Sequence, residues 1–216
     1  MLYDERYFDA RVATLDRRLG QSASRGYLRH LSKFQPDLMN GEGKRALDIG
    51  CGVGNTVTVL RGSGYDAYGT DVSNYAVSVA RRAIGSSDKL VVADAASSIP
   101  FVITFDLITS FEVIEHLPNP GRAFGNWHEA ANRDCKLVLS TPNPASPISP
   151  IRSDPTHISL KRASEWRQLL EQNGWHVIRI CARQYLPIIW KMEHRFRFVS
   201  VPFSSTNLIL CINARD

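Results

Sequence analysis

The chain has 216 residues, 44% of them hydrophobic, which is enough for one well-buried domain and short for two. Its 26 basic and 21 acidic residues leave a net charge of +5, a balance that suits an anionic small molecule, nucleic acid or a membrane surface alike and selects none of them. No apolar run approaches the roughly 18 residues of a membrane span, and no basic-then-apolar leader opens the chain, so neither a span nor export is expected.

In chain order, Phe8, Val12, Leu15 and Leu19 recur at helical spacing. Tyr27, Leu28, Leu31 and Phe34 do so before Pro36, predicting two helices ahead of the core. "RALDIG" (45–50) and "YDAYGTD" (65–71) read as strands joined by a helix over about 55–62. A second helix follows in "VSNYAVSVARRA", with Ser73 placed to cap it and apolar residues at 76, 79, 80 and 83. Short strands are expected at 89–94, 105–110 and 135–141, with a helix around "PGRAFGNWHEAANR" between the last two. Strands separated by helices of this length need right-handed crossovers, so the fold class is α/β, a doubly wound Rossmann-like sheet, mostly parallel, with helices on both faces. A proline-rich loop, "TPNPASPISPIRSDP", leads to a helix at "KRASEWRQLLEQNG" and two strands, 175–182 and 206–214, expected as an antiparallel pair that completes seven strands.

One domain over 1–216 is expected: helices covering the active site (1–40), a cofactor-binding core (44–182), a substrate lid or insert (183–205) and a last strand (206–214). No repeat or low-complexity tract interrupts it. Cys51, Cys135, Cys181 and Cys211 lie far apart with no C-x-x-C pair. They read as free thiols of a reducing compartment, the cytoplasm, rather than disulfides or zinc ligands.

"ALDIGCGVGN" (46–55) runs an apolar strand into Gly50, Gly52 and Gly54. Such glycines let the chain turn tightly and let a ligand approach closely, with the next helix's free N–H groups ahead. The dinucleotide fingerprint G-x-G-x-x-G would put its third glycine at 55, where Asn55 stands, so the match is to G-x-G-x-G. Asp48 inside the apolar strand is costly to bury alone and calls for a partner. Asp71 ends the second strand, about 20 positions on, where an acidic residue can hold the hydroxyls of a ribose; a helix N-terminal charge is the alternative.

"LDIGCGVG", Asp71 in "YGTDVS", "ADA" (93–95) and "FDLITSFEVIEHL", each at a strand end, together resemble the class I S-adenosylmethionine-dependent methyltransferases over residues 44–182. The resemblance implies cofactor contacts from Asp48, Gly50, Cys51, Gly52, Gly54, Asp71, Val72 on the adenine face, Asp94 and the Ala95 N–H on the adenine edge, and Ser110 and Phe111 near the methionyl part. Val72 as a core residue and Asp94 as a plain strand end remain open.

In "FEVIEH" (111–116), Glu112, Glu115 and His116 would share one face if the stretch turned helical. E-x-x-E-H resembles the metal-binding segment of small-RNA 2′-O-methyltransferases and of ubiquinone-pathway O-methyltransferases, with His157 as a further ligand. The preferred reading has no metal: Glu112 and His116 line the pocket, and His116 or His157 takes the acceptor's proton. A neutral imidazole with its usual pKa near ~6.5 suits that role. A surface-facing Glu115 with a structural His116 is the alternative. Activity then needs only alignment of donor and nucleophile and exclusion of water.

Acceptor recognition falls to the N-terminal helices, the proline-rich loop with Arg152, Asp154 and His157, and residues 183–205, where Arg183, Lys191, Arg195 and Arg197 alternate with aromatics. A small-molecule acceptor is preferred over nucleic acid, whose binding would need more charge. A monomer or homodimer is expected. An RNA methyltransferase, a nicotinamide-dependent dehydrogenase and a non-catalytic binding module are the rivals.

Overall fold

A computed structural model describes residues 17–85, 88–146, 154–186, 197–199 and 205–213. The strands are β1 (Arg45–Ile49), β2 (Asp66–Asp71), β3 (Leu90–Val92), β4 (Phe105–Phe111), β5 (Ala131–Pro142), β6 (Trp175–Leu186), β7 (Arg197–Val199) and β8 (Thr206–Asn213). The helices are α1 (Arg17–Leu31), α2 (Asn55–Gly62), α3 (Asn74–Ile84), α4 (Pro120–Glu129) and α5 (Ala163–Glu171). The sheet order is β3-β2-β1-β4-β5-β8-β6-β7. Pairs β1–β2, β1–β4, β2–β3 and β4–β5 are parallel.

The expected antiparallel pair of the strands over 175–182 and 206–214 is present. β8 is antiparallel to both β5 and β6 and lies between them, so β6 runs with the first five strands while β8 and the short β7 run against them. Three-residue β7, which pairs antiparallel with Gln184–Leu186, adds an eighth strand from within the expected lid. Residues 187–196 and 200–204 of that lid and residues 1–16, including most of the first expected helix, fall outside the described residues. α1 runs continuously from Arg17 across the boundary expected between two helices and ends before Pro36.

Strand residues alternate between the faces. On one face, Ala46, Leu107, Val138 and Leu210 pack with Leu28 and Leu31 of α1, Val57 and Leu60 of α2, and Val77 and Ala80 of α3. On the other, Leu47, Ile108, Leu139 and Ile209 meet Phe124 and Trp127 of α4 and Trp166 and Leu170 of α5. Burying such a side chain contributes about 1.5–3 kcal/mol. On α3 the buried stripe is Ala76, Val77 and Ala80, turned from the expected one, since Ala83 is exposed. The order places β1 between β2 and β4, so the crossovers leave in opposite directions there and open a crevice at the strands' C-terminal ends.

Candidate cofactor and acceptor site

The loop after β1 folds over the end of β2: the N–H groups of Gly50 and Cys51 both donate to the Thr70 carbonyl, at 2.7 and 2.9 Å. All three loop glycines have positive φ, +75° at Gly50, +50° at Gly52 and +83° at Gly54. Their environments differ. A Cβ on Gly50 would stand 2.2 Å from Val113 Cγ2, and one on Gly54, which opens α2, would stand 2.6 Å from Ile84 Cδ1. Those two are needed for packing as well as for the turn, while the Gly52 N–H donates to Asp71 Oδ2 at 2.8 Å. Cys51 offers the cleft no side chain: it is buried among the core residues, a Cβ on Gly69 would lie 3.0 Å from its sulfur, and burial holds its thiol well above the usual pKa.

Asp71 accepts from Gly52 through Oδ2 and from the Ser73 N–H through Oδ1, 2.8 Å each. Each oxygen keeps a second lone pair that can accept a further hydrogen bond. Burial raises its pKa against these two N–H groups, which favour the charged form. Ser73 Oγ caps α3 by accepting from Ala76 N at 3.2 Å, and Asp71, which accepts from the N–H of that cap residue, also stands at the helix N-terminus. Val72, beside it, is 48% exposed and thus not the core residue of the alternative reading. Asp94 is exposed and accepts from the Ala96 N–H at 2.8 Å. The Ala95 carbonyl is tied to α4 by Trp127 Nε1 at 2.8 Å. Asp48 is buried and accepts from Thr109 Oγ1 at 2.7 Å. Its pKa is pushed up to about 7 by burial, with the Thr109 and Thr56 hydroxyls opposing and the nearby Asp71 charge adding.

Helix α1 covers this loop closely. A Cβ on Gly20 would be 2.3 Å from Asn55 Nδ2, Ser24 Oγ lies 3.0 Å from Thr56 Oγ1, and the Tyr27 ring packs 5.1 Å from that of Phe111. These contacts were missed in the sequence, where only the departure from glycine at Asn55 marked the spot.

After β4 the chain does not become an α-helix. Glu112 takes φ +56°, the left-handed region, and a 3-10 turn follows over Ile114–His116. The three side chains therefore do not share a face, as a helix would have required. Ser140 Oγ donates to Glu112 Oε1 at 2.7 Å, and Thr141 Oγ1 donates to Glu115 Oε2 at 3.1 Å. Successive residues of β5 point to opposite faces, which separates the two carboxylates. Glu112 is exposed in the crevice. Surrounding atoms push its pKa up against the Ser140 hydrogen bond, an effect that water in an open crevice weakens. Glu115 is fully buried rather than surface-facing. Burial first, and the Glu112 charge second, hold its carboxyl well above the usual range.

His116 and His157 are brought together, ring centroids 4.9 Å apart. His116 Nδ1 lies 3.1 Å from the Thr156 carbonyl, and since a carbonyl only accepts, that nitrogen carries the proton and Nε2 the lone pair. Nε2 stands 3.9 Å from Glu115 Oε1, and His157 Nε2 stands 3.7 Å from Asp154 Oδ2. Donor atoms of Glu115, His116 and His157 all lie within 4.8 Å of one another, and Glu115 Oε1 makes no hydrogen bond. The Ser159 N–H donates to the Glu115 carbonyl at 2.8 Å and Ser159 Oγ to that of Leu117 at 2.6 Å, stapling the His157 segment to the turn.

The crest fits an adenosyl group on its own features: an exposed apolar Val72 beside a carboxylate, and two buried oxygens without a hydrogen bond, Asn55 Oδ1 and Ser110 Oγ. The comparisons agree. A family model described as "Methyltransferase domain" matches residues 17–180. A ubiquinone biosynthesis O-methyltransferase from Burkholderia orbicola is 31% identical over 165 residues, 68% of this chain and 70% of that protein. The protein of the same name from Thiobacillus denitrificans is 26% identical over 170 residues, 70% and 73%. Among solved structures, a SAM-dependent methyltransferase from Archaeoglobus fulgidus superposes with TM-score 0.71 at 19% identity, covering 96% of this chain and all (100%) of that one. The magnesium protoporphyrin IX methyltransferase of Synechocystis, with bound SAH, does so with TM-score 0.64 at 18% identity, covering 98% and 96%.

Proposed function

We propose that this chain, which belongs to the S-adenosylmethionine-dependent methyltransferases, moves a methyl group onto a hydroxyl of a small acceptor seated between Phe111, Glu112, His116 and His157. The sulfonium supplies an already activated methyl, so the protein's share is binding, alignment and proton removal. Gly52, Asp71, Val72, Asp94 and Ala95 would seat the adenosine, with Asp48, Gly50, Gly54, Ser110 and Phe111 shaping the rest and Cys51 contributing main chain only. His116 would take the hydroxyl proton on Nε2 while Nδ1 stays tied to Thr156, and Glu112 would orient the acceptor. The observation that carries this is the convergence of the Gly52 N–H, the Asp71 carboxylate and exposed Val72 at one crest.

The relatives' name supports oxygen as the methylated atom. The modest net charge of +5 supports a small acceptor over RNA, the free cysteines support the cytoplasm, and we take the enzyme to act as a monomer or homodimer, one domain with residues 183–205 as its lid. Among the described residues no helix is long and apolar enough to cross a membrane. The test is S-adenosylhomocysteine release from the full chain with a panel of phenols, alcohols, amines and carboxylates. Turnover of phenols or alcohols, with a loss of about 100-fold in His116→Ala, is the expected result; turnover only on carboxylates or RNA would contradict it.

A second reading has its own observation: the trio Glu115, His116 and His157, with one carboxylate oxygen lacking a hydrogen bond. Two imidazoles and a carboxylate are a fitting donor set for a divalent transition metal, and the Thr156 carbonyl fixes one ring in the way metal-binding histidines are held. Glu112 does not belong to it. Equilibrium dialysis with zinc and manganese separates the readings: stoichiometric uptake lost in Glu115→Gln supports the ion.

A further inference from the structure

We infer that Asn126 is the positioning residue for recognition of the purine base: from helix α4 it holds the turn over 94–97 so that the Ala95 N–H and the Asp94 carboxylate accept a 6-amino purine and reject a 6-oxo one. This rests on the cofactor site proposed above, and adds which residue outside that site sets what it selects.

Each backbone group of the turn can be followed to its partner. The Ser97 N–H donates to the Asp94 carbonyl at 3.0 Å, closing a four-residue turn, and the Ala96 N–H donates to Asp94 Oδ1 at 2.8 Å. The next two carbonyls reach out to α4: that of Ala95 accepts from Trp127 Nε1 and that of Ala96 from Asn126 Nδ2, 2.8 Å each. Before the turn, the Ala93 N–H donates to the Asp71 carbonyl at 3.0 Å. The turn is thus slung between the residue that would hold the ribose and α4. One donor is left over. Among the described residues the Ala95 N–H has no partner, and because the C=O and N–H of a trans peptide point opposite ways, the Asp94 carbonyl turned inward to Ser97 sends the Ala95 N–H outward.

The two anchors on α4 differ. Trp127 is fully buried, its ring 5.4 Å from that of Phe124, so packing alone accounts for it. Asn126 is only half-buried and lines an open cavity of about 540 Å³ with Arg45, Ile99, Phe101 and Glu129. Packing does not call for an amide there; the hydrogen bond to Ala96 does. The Ala96 carbonyl and the Ser97 N–H belong to one rigid peptide plane, so the side chain that holds the first also aims the second at Asp94 and keeps the turn closed. Adenine offers an acceptor at N1 and a donor at its 6-amino group, matching the Ala95 N–H and the Asp94 carboxylate. Hypoxanthine reverses both, setting donor against donor and acceptor against acceptor, and such mismatches are what a hydrogen-bonding site rejects most strongly.

The test is calorimetric titration of S-adenosylhomocysteine and S-inosylhomocysteine into the full chain as wild type, Asn126→Ala and Asn126→Asp, the last keeping the shape but not the donor. The wild type should prefer the adenosyl ligand at least about 100-fold, and either variant should cut that preference about tenfold while leaving the inosyl affinity within about twofold of wild type. Undiminished preference in both variants, or equal weakening of both ligands, which a merely structural residue would give, overturns the proposal. A wild type that binds the adenosyl ligand without preference, or not at all, defeats the site reading and this inference together, whereas a discriminating wild type with indifferent variants defeats the role of Asn126 alone. Where neither variant folds, the wild type gives the answer by nuclear magnetic resonance. The Asn126 side-chain nitrogen should show scalar coupling across its hydrogen bond to the Ala96 carbonyl, and the Ala95 N–H should exchange more slowly with S-adenosylhomocysteine bound than with saturating S-inosylhomocysteine; no coupling, or equal exchange in the two complexes, overturns the proposal.

Discussion

At the scale of single residues, Asp48 exchanges stability for a site. Its carboxyl lies near 3.8 in an unfolded chain and about 7 in the fold. Between those values the folded chain holds a proton that the unfolded chain has released, so this group lowers stability progressively as pH rises through that window. Asn carries no such penalty. Asp48→Asn should therefore melt about 5 °C above the wild type at pH 8 and within about 1 °C of it at pH 4; thermal unfolding followed by circular dichroism checks it. The sequence told this much in advance, since an aspartate inside "ALDI" had to be buried and needed a partner. Its hydrogen-bond partner, Thr109, comes from 61 positions away, and no local pattern marks it. Asp71 was legible through its distance from the glycines, and Asp71→Ala should weaken S-adenosylmethionine at least tenfold, the loss of two hydrogen bonds to a charged group being worth more than about 1.4 kcal/mol.

Between elements, close approach is what the glycines serve. Gly50 meets Val113, so the cofactor loop and the turn after β4 lock together. Gly50→Ala adds a methyl both at φ +75° and against that valine, and should cost about 2 kcal/mol in urea unfolding. Adding Val113→Ala should recover part of that cost, leaving the backbone strain. The turn itself shows the limit of pattern reading. E-x-x-E-H fits one face of an α-helix, but Glu112 in the left-handed region and the 3-10 turn after it send the carboxylates to Ser140 and Thr141 on opposite faces of β5. Backbone conformation at one residue decided that, and no spacing rule contains it. The pairing of His116 with His157 had been weighed from sequence, and the loop between strand and α5 does return His157 to the turn.

Over the whole molecule, the order of elements was readable because the hydrophobic period switches between strand and helix along the chain. The position of β8 was not. Its apolar run shows that it is buried, but which neighbours it slots between depends on edges that β5 and β6 leave open, a non-local choice. Leu208, Ile209, Leu210 and Cys211 are fully buried between them. A chain cut before Thr206 should lose cooperative unfolding altogether, and a truncated protein with a normal melting transition would show that β8 is dispensable.

The central claim is that the loop glycines, Asp71, Val72 and the Ala95 turn seat the cofactor at the crest of the sheet. Titration of S-adenosylmethionine into the nitrogen-15-labelled full chain tests it most directly. Saturable shifts concentrated at Gly52, Asp71, Val72, Ala95 and Phe111, and abolished by Asp71→Ala, are predicted; no binding, or shifts centred elsewhere with those amides unmoved, would contradict it.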